Sequence, residues 1–137
     1  MKFFELNEII DRKTYEKWGD RAWILFNPNA LEALDGLREF MNAPITVNNW
    51  WGNPGAGNQY RGYRPEDCPV GAKFSQHKEG NAFDCTIKGY TAEDARRIIL
   101  ENQDNPLLAK IMRLEADVSW LHFDLKPVPN RIHLFKT

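Results

Sequence analysis

Two histidines and an aspartate set among apolar residues constrain this chain more than any other feature. His77 is followed by Gly80 and, seven residues on, by Asp84, which lies in the apolar run of residues 82–87. His122 lies in a second apolar run, Trp120-Leu121-His122-Phe123-Asp124. An imidazole buried without a partner is costly, so a fold that uses these runs as core strands has to give His122 one. Two imidazoles and a carboxylate are the three-ligand set of a catalytic zinc ion, whose fourth tetrahedral position is left for water. Water held there becomes acidic enough to act as a nucleophile near neutral pH. Gly80 and Ala82 leave room for backbone to bend around such an ion. His77, Asp84 and His122 are therefore the expected ligands of a Zn2+ ion.

The rest of the composition narrows the class without naming a chemistry. A chain of 137 residues supports one domain with one core. With a net charge of -1 there is no basic footprint for nucleic acid. No apolar run approaches the roughly 20 residues of a membrane span. No apolar h-region follows Met1, so synthesis in the cytoplasm without a signal peptide is expected. Cys68 and Cys85 lack a CxxC partner and are expected to be free thiols. In a strand, Cys85 points away from the face that carries Asp84.

Periodicity predicts an α+β chain, with residues 1–43 helical and residues 44–137 carrying a sheet and the metal site. A short helix is predicted over 13–18 and a second turn over 20–25, with Trp18 and Trp23 in the core. Pro28 and Asn29 open the strongest helix, 30–41, whose inner stripe is Leu31, Leu34, Leu37, Phe40 and Met41. Residues 45–50 alternate like a strand, and the glycine- and asparagine-rich stretch 52–58 reads as a hairpin connection or rim. The chain returns over 59–64, and an irregular segment, 66–74, leads to His77. A buried strand follows over 82–87. Thr91 has the form of an N-cap for a helix ending near Glu101, with Ala95, Ile98 and Ile99 inside. A short helix is predicted from Pro106, with Leu107, Leu108, Ile111 and Met112 inward. Strands at 113–115 and 120–125 flank a turn at 116–119, and 132–135 adds an edge strand. His133 there is expected to be a surface residue.

Ser75, His77, Gly80, Ala82 and Asp84 together resemble the SxHxxGxAxD signature of the M15 zinc peptidases. These are D-Ala-D-Ala carboxypeptidases and dipeptidases, together with phage endolysins. Trp120-Leu121-His122 resembles the family segment that supplies its last zinc ligand, and Gly62-Tyr63-Arg64 resembles its GYR element. The likeness runs from about Ile45 to Asp124. It implies a peptidase of peptidoglycan stem peptides, with His77, Asp84 and His122 on zinc and Arg64 as the clamp on substrate carboxylate or carbonyl groups. Arg61 is the reserve for that clamp. A monomer acting on the cell wall after phage-type release, or as part of a virion, is the setting it implies.

The chain departs from the family at Ser119, where many members place the acidic general base three residues before the last histidine. The nearby acids are Glu115 and Asp117. By comparison with the related zinc fold of Hedgehog signalling domains, Glu115 is the first candidate for the base and Asp117 the second. Asp124, two residues past His122 on the same strand face, is a candidate to orient an imidazole N–H. Ser75 is placed near the site or as a local backbone cap. Trp50, Trp51, Tyr60 and Tyr63 are candidates for a substrate groove or for packing on the helices. A competing reading is a zinc-stabilised phage structural or wall-binding domain without catalysis. A metal-free interaction module leaves the three ligand residues unexplained.

Overall fold

The computed structural model describes residues 1–53, 55, 57–71 and 75–137. Parts of the predicted rim (Pro54 and Ala56) and of the irregular segment (Ala72, Lys73 and Phe74) lie outside the described residues. The fold is α+β, a five-stranded, mostly antiparallel sheet with helices. Helix α1 spans Arg12–Trp18, α2 Pro28–Met41 and α3 Ala92–Glu101. The strands are β1 (Ile45–Thr46), β2 (Ala82–Ile87), β3 (Arg113–Glu115), β4 (Leu121–Asp124) and β5 (His133–Phe135), in the order β1-β2-β4-β3-β5. Among the described residues only the β3–β5 pair is parallel.

Each helix starts where its sequence provides an acceptor for orphan N–H groups. Asp11 accepts from Thr14 N–H, Asn27 from Asn29 N–H, and Thr91 from Asp94 N–H. Leu34, Leu37 and Met41 of the predicted α2 stripe are buried, while Leu31 and Phe40 are half-buried. Ala30, Ala33 and Gly36 complete the inner face. Gly36 is required there, because a Cβ would run into the Leu107 carbonyl. Trp18 and Trp23 are half-buried against the core. The core itself gathers α2 residues, Ala95 and Ile99 of α3, and Phe83, Cys85, Leu114, Leu121 and Phe123 of the sheet. Phe83 stacks on Phe26 with ring centroids 6.0 Å apart and tilts against Phe123 at 5.7 Å.

Three local predictions are corrected. Residues 20–25 form part of a 3-10 helix, Gly19–Leu25, and the segment after Asn105 is a single 3-10 turn, Pro106–Leu108. The strand predicted over 45–50 ends at Thr46. Beyond it Asn48 N–H donates to the Glu8 carbonyl, and Trp50 donates its indole N–H to the Ile10 carbonyl. The apolar alternation there reflects burial against the N-terminal segment rather than strand pairing.

Candidate metal centre

The site is assembled by strand register. In the β2–β4 pair Asp84 stands opposite His122, and Ala82 stands opposite Asp124. In the β3–β4 pair Arg113 stands opposite Asp124. Directly opposed residues share a sheet face, and Glu115, two residues after Arg113, shares the face of Arg113. Phe83, Cys85, Leu121 and Phe123 project to the other face and into the core. Cys85 is thereby buried away from the site, and burial pushes its thiol up to about 12.

His77 reaches this face from the run of turns that precedes β2. Its Nδ1 lies 2.8 Å from the Gly62 carbonyl, and its own carbonyl accepts Arg64 N–H at 3.2 Å. A carbonyl only accepts, so Nδ1 carries the proton and Nε2, 3.3 Å from Asp84 Oδ1, is the atom turned to the site. Gly80 makes the approach possible. Its φ of 71° is left-handed, and it packs so close to Leu25 and Phe26 backbone that no Cβ fits. Ser75 accepts from His77 N–H as a local cap and also lines the pocket beside His77 and Asp84, so both of its readings hold.

His77, Asp84 and His122 each offer a ligand atom, all within 4.8 Å of one another, and all three are buried. The group can hold a metal ion. His122 lies between two carboxylates, with Nδ1 2.7 Å from Asp84 Oδ1 and Nε2 2.8 Å from Asp124 Oδ2. These contacts outweigh burial and raise its imidazole to about 9. The same hydrogen bonds hold Asp84 and Asp124 below the usual carboxylate range against the opposing effect of burial. With Asp124 accepting from Nε2–H, Nδ1 is the nitrogen left to a metal shared with Asp84 and His77, a carboxylate–imidazole arrangement common behind metal ligands. The donor set thus fits a divalent ion.

The three residues line a pocket of about 530 Å³ that also includes Arg64, Arg113, Glu115, Trp120, Lys126 and Phe135. Arg64 is tied to the ligand rather than left free: NH2 meets Asp84 Oδ2 at 3.2 Å and Nε donates to the Tyr60 carbonyl. Arg61, the reserve, points elsewhere, to Thr86 Oγ1 and the Val47 carbonyl. The two candidate bases part company. Glu115 is buried, lines the pocket and accepts from Thr137 Oγ1 at 2.9 Å. Asp117 occupies a turn at φ 62°, pairs with Lys136 at 3.0 Å and lines a different pocket. Ser119 is exposed and also lies outside the site.

Of the groove aromatics, Trp50 is buried edge-on against Tyr15, and Tyr63 packs edge-on to Phe26. Trp51 is exposed, and Tyr60 lines a separate small pocket. The aromatic wall comes instead from Trp120 and Phe135. Arg113, Phe135 and Thr137 were not singled out from the sequence. The available signal was the predicted edge strand over 132–135 beside a strand bearing Arg113 and Glu115. His133 on that strand is exposed, as expected. Comparison with protein-family models, curated proteins and solved structures found no match.

Proposed function

We propose that the chain is a zinc metallopeptidase acting on peptidoglycan stem peptides, as a D,D-carboxypeptidase or an endolysin-type endopeptidase. The observation that carries this reading is the convergence of His77, Asp84 and His122, with ligand atoms within 4.8 Å of one another, in a pocket that also holds Glu115. Structural zinc sites are closed by four protein ligands, whereas catalytic sites use three and keep a position open. Held by His77, Asp84 and His122, a zinc ion would supply Lewis acidity to a water molecule and to a scissile carbonyl. Glu115 accepts the water's proton and passes it to the leaving amine. Arg64 steadies Asp84 and places a positive charge beside the pocket, where negative charge develops in the substrate. Trp120 and Phe135 form the apolar wall against which the peptide lies.

The test is a digest of purified peptidoglycan by zinc-loaded protein, with and without chelator, read by mass spectrometry. New peptide termini that disappear with chelator are expected. An intact substrate from protein shown to hold one zinc overturns the reading. That result would favour a zinc-stabilised wall-binding or virion structural domain, the reading supported by a serine rather than an acid at position 119.

A further inference from the structure

Arg113 and Asp124 form a close ion pair. Nε donates to Oδ1 at 2.8 Å and NH2 to Oδ2 at 2.7 Å, a two-pronged contact across the β3–β4 register. Asp124 is fully buried. Its Oδ1 also accepts Lys126 N–H at 3.1 Å, and its Oδ2 faces His122 Nε2 at 2.8 Å. The guanidinium lies 3.8 Å from the centroid of Phe135, which in turn meets the His122 ring edge-on at 5.6 Å. A buried ion pair is a poor source of net stability, because desolvation offsets the attraction. Its place directly behind a ligand asks for another role.

We infer that Arg113 is a positioning residue for the metal centre, acting through Asp124 to fix the ring of His122 with Nδ1 toward Asp84 and His77. The inference rests on the reading that these three residues hold a metal, but the ring orientation itself is set by contacts among the protein's own side chains. A carboxylate held at one oxygen can turn about its last bond. Held at both by a planar fork, it cannot, and its Oδ2 stays aimed at Nε2. Lysine supplies the same charge as a single point and does not set the plane. Phe135 keeps the guanidinium from swinging out of that plane by covering its face.

The experiment uses the full chain with Arg113→Met and Arg113→Lys, each alone and combined with Asp124→Asn. Two quantities are read: zinc affinity by competition with a chromogenic chelator, and the imidazole N–H correlations of His122 by NMR in metal-free and zinc-loaded protein. Wild type is expected to show one exchange-protected Nε2–H signal. Arg113→Met is expected to lose that protection and to weaken zinc binding about 10–100-fold, the usual effect of removing support from behind a ligand. Arg113→Lys should recover only part of both. Adding Asp124→Asn to Arg113→Met should change little further, because the arginine acts through that carboxylate. Folded Arg113→Lys with zinc affinity and Nε2–H signal unchanged overturns the inference, as do Arg113→Met and Asp124→Asn effects that add in full. If Arg113→Met does not fold, the lysine variant decides. If wild type binds no zinc, the metal reading fails, while the metal-free NMR series still decides the role of Arg113.

Discussion

Zinc and a proton compete for the same atom of His122. His122 lies between Asp84 Oδ1 at 2.7 Å and Asp124 Oδ2 at 2.8 Å, which raises its imidazole from 6.5 to about 9. At pH 7 both nitrogens therefore carry protons, and a metal can reach Nδ1 only by expelling one. Below about pH 9 one proton leaves per zinc bound at this residue, so apparent affinity should fall about tenfold per pH step, or roughly 100-fold between pH 9 and pH 7. The perturbation also has a stability side with the opposite sense. A raised imidazole stabilises the metal-free fold fully below 6.5, and that contribution disappears as pH rises through about 9. Its size is on the order of 3 kcal/mol at about 1.4 kcal/mol per pK step. The lowering of Asp84 arises from the same His122 contact together with His77, so its His122 share is one interaction seen from the other partner. The assay is a zinc titration against a chromogenic chelator from pH 6.5 to 9, paired with urea unfolding of metal-free protein over the same range. A zinc affinity independent of pH between 7 and 9, with no proton release, refutes the reasoning.

Other outcomes follow from single contacts. Glu115→Gln should leave zinc binding intact and lower peptide turnover by about 10²–10⁴, whereas Asp117→Asn, on a residue paired to Lys136 outside the pocket, should leave turnover close to wild type. Equal losses in the two would remove Glu115 from the mechanism. Gly80→Ala forces a left-handed residue and drives a methyl into Leu25 and Phe26 backbone. It should cost roughly 2–4 kcal/mol in urea unfolding, and an unchanged midpoint would contradict the packing. Phe83→Ala, at a fully buried ring between Phe26 and Phe123, should cost about 3–5 kcal/mol. A loss below about 1 kcal/mol, the scale of a single methylene, would mean the ring is not in the core as placed.

What could be read in advance was local. α2 and α3 announce themselves through caps and 3.6-residue periodicity, and β2 through a mostly apolar run interrupted by Asp84 and Thr86. Asp84 and His122 were legible as candidate ligands because a carboxylate and an imidazole inside apolar strands need a partner, and His77 because it lies seven residues before Asp84. Residues 45–50 misled, since alternation reports which side chains are buried and not what the backbone bonds to. Asn48 shows the difference, with its N–H on Glu8 and its side chain accepting Arg61 N–H. Glu115 and Asp117 are two residues apart, and nothing in that spacing tells a pocket wall from a turn. The positive φ of Asp117 and its contact with Lys136 separate them.

Residue chemistry and spacing, by themselves, determined the helices, the central strands and the choice of His77, Asp84 and His122 as a candidate ligand set. Those depend on near neighbours and on the free energy of burying a charge or an imidazole. Tertiary structure decided everything that depends on register between strands. It set Asp84 opposite His122, set Arg113 opposite Asp124, and brought Phe135 of a distant edge strand, and Thr137 just beyond it, to the pocket. A shift of one residue in any of these pairings turns each side chain to the other face, and long-range pairing leaves no mark in the spacing of residues along the chain.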